Sequence, residues 1–229
     1  MFRRLRAAGN PCPNAPAVLL LFALVPSIAL LGAATPGIAD WGVPSPYTTL
    51  CFLPAGFVPP VTLLVVPDGS GPPLTQARAS NGSVVDATIH VLALNETGLP
   101  EPYVDPEGWN LVWPGDGVHA CGGAFPADHA TLVDGSTEWA APLRAGGHSQ
   151  GPVRVFTWGG PVLTNNGLPL QVNSPDINGD LEVNLLDVPL FAQDYAGGVY
   201  RHRADLHYDG VINLSDVIPL VQHVGAGCP

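Results

Sequence analysis

The sequence predicts a mainly β protein, a two-sheet β-sandwich followed by a small duplicated loop–helix module. Three observations carry this. Short apolar runs alternate with turn signals through residues 40–173. No run there has helical periodicity, and 27 glycines and 26 prolines punctuate the 229 residues. Finally, one motif is written twice near the end, as DINGDLEVNLLDVPLFAQDY from Asp176 and DLHYDGVINLSDVIPLVQHV from Asp205, a direct repeat at 29 residues. The domains expected are residues 1–39, 40–173 and 174–229.

Residues 1–39 read as an export signal peptide. Arg3, Arg4 and Arg6 form a basic start, and Val18 to Leu31 an apolar core interrupted by Pro26. Cleavage is expected after Gly37-Ile38-Ala39, with Gly32-Ala33-Ala34 the second choice. A core of about fourteen residues broken by proline is too short to span a bilayer comfortably. The protein is therefore expected to be secreted, extracellular or at the cell surface, with no membrane association after cleavage.

The remaining chain holds five arginines and no lysine against nineteen acidic residues, a formal charge of −14. Such a surface repels phosphate backbones, which argues against nucleic acid as a partner. Cys51, Cys121 and Cys228 remain after cleavage. Cys51 and Cys121 share the expected β-domain, so they are the expected disulfide pair, leaving Cys228 free.

The expected strands are Thr48 to Leu53, Val61 to Val66, Val84 to Leu94, Trp109 to Trp113, Thr137 to Leu143, Val153 to Trp158 and Leu168 to Val172. In the third, Val85, Ala87, Ile89, Val91 and Ala93 alternate with Asp86, Thr88 and His90, the period of a strand with one buried face. Turns are marked by Pro67-Asp68-Gly69, Asn81-Gly82, Pro114-Gly115-Asp116-Gly117 and Asp134-Gly135. About seven short strands in roughly 130 residues fit a sandwich. The runs VDATIHVLALNETGLP and ATLVDGSTEWAAPLRAG resemble bacterial immunoglobulin-like domains of the invasin type. That resemblance implies an Ig-like fold and is nearly silent on function.

Gly147-His148-Ser149-Gln150-Gly151 satisfies G-x-S-x-G, but a nucleophile elbow needs a strand, a tight turn and then a helix. Here Val153-Arg154-Val155-Phe156 follows and alternates like a strand. The expectation is a hairpin turn and a protein that is not an enzyme. The tryptophans are expected in the core rather than on a sugar platform.

The duplicated motif has the spacing of a twelve-residue calcium loop, which offers oxygens from steps 1, 3, 5, 7, 9 and 12. In the first copy these are Asp176, Asn178, Asp180, the carbonyl of Glu182, Asn184 and Asp187. In the second they are Asp205, His207, Asp209, the carbonyl of Val211, Asn213 and Asp216. Three carboxylates in one tight loop repel each other unless a divalent cation sits among them. Asn184 and Asn213 are expected helix N-caps. Val188, Phe191 and Tyr195, and Val217, Leu220 and Val224, should form matching buried faces.

These residues resemble a type I dockerin, the duplicated EF-hand-like module by which secreted bacterial proteins dock onto cohesin domains, often beside polysaccharide-degrading enzymes. Loops ending in Asp187 and Asp216, rather than Glu, follow that pattern. The resemblance covers about 50 residues and implies two Ca2+ sites and an extracellular, cohesin-like protein partner. Several residues depart from it. Leu181 stands at step 6, where Gly210 stands in the second copy, so the first site is expected to be the weaker. His207 puts an imidazole where a hard cation prefers oxygen. Leu185 and Leu214 stand where dockerins carry small hydroxyl residues. The leading expectation is an exported calcium-binding protein that mediates extracellular assembly. The alternatives are a carbohydrate-binding or polysaccharide-degradation accessory protein, and a surface-display stalk stiffened by calcium.

Overall fold

A computed structural model describes residues 43–113, 117–158, 160–164 and 167–229, and the expected signal peptide and the first three residues of the expected turn at 114–117 lie outside them. The fold is mainly β. Its strands are β1 (Leu50–Phe52), β2 (Val61–Leu64), β3 (Ala77–Ala79), β4 (Val84–Val85), β5 (Ile89–Leu92), β6 (Trp109–Val112), β7 (His119–Ala120), β8 (Ser136–Trp139), β9 (Ala145–Gly146), β10 (Arg154–Thr157), β11 (Gly160–Pro161) and β12 (Leu170–Asn173). Two helices follow, α1 (Asp187–Ala196) and α2 (Leu214–Gln222).

The strands form sheets ordered β1-β5-β8, β11-β10-β6 and β12-β2-β3-β4, with a separate β7-β9 ladder. All pairings are antiparallel except β12 with β2, which runs parallel with Leu170 opposite Val61 and Asn173 opposite Leu64. Inward side chains from every sheet meet in one core. Val61, Leu63, Leu170 and Val172 come from one side, Ile89, Val91 and Trp139 from another, and Trp109, Leu111 and Val155 from a third. Val61, Leu63, Ile89, Trp139 and Leu170 have no measurable exposure.

The long alternating run expected over Val84 to Leu94 is two strands in different sheets. Asp86 Oδ1 accepts hydrogen bonds from Thr88 N (2.9 Å) and Thr88 Oγ1 (2.6 Å). That local turn competes with the ladder and lets the chain change sheet. β8 ends at Trp139 for a similar reason, since Asp128 Oδ2 takes the N–H groups of Ala140 and Ala141 at 2.7 and 2.9 Å. The disulfide joins Cys121 to Cys228, not to Cys51, and Cys51 is a buried free thiol. The expected pairing fails because the last residues turn back: Cys228 N donates to Leu181 O, and Gly225 N to Val183 O. This return brings Cys228 to the end of β7, with 5.6 Å between the two cysteine Cα atoms.

The helices bury less than their sequence pattern predicts. Phe191 and Leu220, which are repeat-related, are buried in a second cluster with Val66, Ile177, Val183, Ala204 and Leu206. Val188, Tyr195 and Val224 are instead 40%, 49% and 51% exposed. Each helix is short and inserts mainly one residue into a cluster that also takes Val66 from the β-region. Pro189 falls in the first turn of α1, where its missing N–H has no intrahelical partner to lose. Pro219 lies inside α2. Both helices and the sheets belong to one compact unit, Asp40–Pro229.

Candidate metal loops and their attachment

The two loops repeat their hydrogen bonds as well as their residues. At step 1, Asp176 accepts from Asp180 N (3.2 Å) and Leu181 N (2.8 Å), and Asp205 accepts from Asp209 N (3.2 Å) and Gly210 N (3.0 Å). At step 12, Asp187 accepts from Asn178 N (3.1 Å) and Asn184 N (2.9 Å), and Asp216 accepts from His207 N (2.8 Å) and Asn213 N (2.7 Å). Step 5 caps step 7 in both, Glu182 N to Asp180 and Val211 N to Asp209, each at 3.0 Å. Asn213 closes a reciprocal cap on α2, its Oδ1 accepting from Ser215 N at 2.7 Å. Asn184 makes the matching bond to Leu186 N (2.7 Å), but α1 starts only at Asp187.

The backbone is left-handed at steps 4 and 6 of both loops. In the first, Gly179 has φ +74° and Leu181 +71°; in the second, Tyr208 has +54° and Gly210 +83°. Each loop thus places glycine at one left-handed step and a side chain at the other. A non-glycine residue there costs roughly 1–2 kcal/mol. Leu181 is therefore not a burden of the first loop alone, because Tyr208 carries the same one in the second.

Asp176, Asp187, Asp205 and Asp216 have no measurable exposure. Burial, joined by the charges of Asp187 and Asp180, pushes the Asp176 carboxyl up to about 6 against the N–H bonds from Leu181 and Gly179. Asp216 is raised by burial and by Asp205 and Asp209. Among the described residues no group of three or more His, Cys, Asp or Glu side chains is drawn together tightly enough to hold a metal. The donor set nevertheless suits calcium rather than a softer ion, since each loop mixes buried carboxylates with amide and carbonyl oxygens. At step 3 the first loop offers Asn178, bonded through Nδ2 to Asp180 Oδ2 at 2.8 Å. The His207 ring lines a cleft against the β-region.

Two walls of the β-region hold these loops. On the outward face of β12-β2-β3-β4, Asn173 Nδ2 donates to the carbonyls of His202 (2.6 Å) and Asp205 (2.8 Å), and Tyr208 Oη donates to Gln171 Oε1 (2.7 Å). His202 Nε2 meets Thr62 Oγ1 at 3.3 Å. At the β7-β9 ladder, Gly147 N donates to Asp176 O (2.8 Å), and a Cβ at Gly146 would overlap Asp176 Oδ2. Tyr200 adds a phenol bond to Asp205 Oδ2 at 2.9 Å. Sequence reasoning misses Gly146, Asn173, Tyr200 and His202, because none lies inside a loop. Only the Gly146-Gly147 doublet signals that something approaches closely.

Ser149 is 1% exposed, and its backbone bridges to Val172. Its Oγ accepts from Gly151 N at 3.0 Å, and strand β10 follows rather than a helix. Trp109, Trp113 and Trp139 are buried, while Trp158 is 61% exposed. No described helix is long and apolar enough to cross a membrane. Compared with known proteins, the chain matches no family model, and no curated protein is significantly similar to it.

Proposed function

We propose that this is an exported, non-catalytic calcium-binding protein whose C-terminal dockerin-like repeat pair serves extracellular protein–protein assembly, behind an Ig-like β-domain. The observation that carries the reading is the duplicated hydrogen-bond pattern. In both copies the step-1 carboxylate takes the N–H groups of steps 5 and 6, and the step-12 carboxylate those of steps 3 and 9. Bound calcium would supply positive charge between buried carboxylates that otherwise repel each other. Asp176, Asn178, Asp180, Asn184 and Asp187 would hold one ion, with the Glu182 carbonyl; Asp205, Asp209, Asn213 and Asp216 the other, with the Val211 carbonyl. The surface offered to a partner is itself repeated, for Leu185 and Leu214 are 78% and 72% exposed at equivalent positions. A cohesin-like protein is the partner class this reading implies.

Calorimetry on the chain from Asp40 onward tests the reading. Uptake of two calcium ions, with slowed amide exchange over residues 176–224, is expected. No uptake at millimolar calcium would overturn it.

A second reading is supported by a specific observation. Cys121–Cys228 and the Asn173 and His202 contacts tie the repeat pair to the β-region. Calcium would then stiffen a structural element rather than arm a docking module. Capture of a partner that depends on calcium separates the two readings. The polysaccharide alternative draws no such support, because only Trp158 of the described tryptophans is exposed.

A further inference from the structure

The outward face of β12-β2-β3-β4 is only partly covered by the C-terminal segment. Beside the covered part, a cleft of about 400 Å³ opens between β3, β4 and α2. Its size falls in the range of small-ligand sites, roughly 300–1,000 Å³. In so acidic a chain its composition is unusual, since none of the residues that line it is Asp or Glu. Arg78, one of five arginines after residue 39, stands on its floor opposite Thr62. Arg78 Nη1 donates to Gly82 O at 3.0 Å, and among the described residues Arg78 meets no carboxylate.

Gln76 and Gln222 add neutral polar groups at the sides, and Val84 and Ile218 an apolar surface.

We infer that this cleft binds a small carboxylate that also carries hydrogen-bond donors. Its carboxylate is taken by the Arg78 guanidinium and a hydroxyl or amide N–H by the side-chain oxygens of Gln76 and Gln222, with its carbon skeleton against Val84 and Ile218. A guanidinium pairs with a carboxylate through charge-assisted, fork-like bonds that a neutral molecule cannot match. Sugar acids and short peptides share this chemistry.

The test is an amide and side-chain NMR titration of the chain from Asp40 onward with D-galacturonate and, separately, glycyl-leucine. Saturable shifts at Arg78, Gln76 and Gln222 are expected with at least one of them, and whichever binds names the source. Galactose and glycyl-leucine amide should produce none. Arg78→Gln should weaken binding about tenfold, the equivalent of 1.4 kcal/mol. Gln222→Ala, at an exposed α2 position, should also weaken it and reads the same site should Arg78→Gln fail to fold. Absence of cleft shifts with either acid, equal shifts with the neutral analogues, or undiminished affinity in both variants would each overturn the inference.

Discussion

The Asp176 carboxylate lies against the backbone of Gly146, so closely that a single methyl group there would overlap its Oδ2. Gly147 N fixes the same residue through its carbonyl at 2.8 Å. The first acidic loop is thus closed by a strand about thirty residues upstream, whereas the second loop is steadied by Tyr200 from its own approach. The two sites are alike in sequence and unlike in support.

Gly146→Ala should therefore act on one site only. Displacing Asp176 removes step 1 of the first loop and leaves Asp205 and its neighbours untouched. Calorimetry is expected to fall from two calcium ions to one, with the remaining affinity unchanged. Two ions at unaltered affinity would show that Gly146 does not shape the site.

The left-handed residues give a second test. Leu181→Gly and Tyr208→Gly each place glycine where φ is +71° and +54°. Leu181→Gly, at a half-buried position, should stabilise the calcium-bound chain by about 1 kcal/mol. Tyr208→Gly should instead destabilise it, because Tyr208 is buried against His202 and also loses the bond from its Oη to Gln171. Thermal unfolding at saturating calcium measures both.

How much of this was legible in the sequence follows from what each feature depends on. The alternation that marks β5 is local, and Ile89 and Val91 are buried as the pattern predicts. The carboxylate spacing of the loops is local too, and their repeated hydrogen bonds follow it. β3, β7, β9 and β11 were illegible because two or three residues rich in Ala and Gly become strands only when a partner strand is supplied. The disulfide was illegible for a related reason. Cys228 reaches β7 through the turn at residues 225–228, which pairs with loop 1, and sequence proximity favours the wrong partner for Cys121. The helix faces are narrower than their period predicts, since Val188 and Tyr195 match the period of Phe191 but stay 40% and 49% exposed.

The disulfide closes a long stretch, with a sequence separation of 107. Replacing Cys121 and Cys228 together by serine should cost about 2–4 kcal/mol in chemical denaturation. The third thiol behaves differently. Burial pushes Cys51 up to about 11, so it should resist thiol reagents in the native protein and react once on unfolding. Rapid labelling of one thiol before denaturation would contradict the assignment.

Acid should loosen the attachment of the C-terminal segment. Burial, with the nearby His148, lowers His202 from 6.5 to about 4, so the folded protein holds it neutral. The unfolded chain takes up a proton near 6.5 that the folded chain refuses. The stability this represents is present above pH 6.5 and is lost as pH falls towards 4. A shift of that size corresponds to about 3 kcal/mol. His202 is 5% exposed against Thr62, so protonation forces either its release from the sheet or a charge left there without a partner. Asp176 works in the opposite direction when no cation is bound. Its raised carboxyl costs stability above about pH 6, and that cost is relieved as pH falls towards 3.8. Calcium cancels the second effect and leaves the first. With calcium saturating, unfolding free energy should fall between pH 6.5 and 5 in the parent chain. In His202→Asn, which keeps a neutral polar group beside Thr62, the fall should be much shallower, with burial of His223 leaving a residual decline of the same sign. A parallel decline in both would remove His202 as the cause.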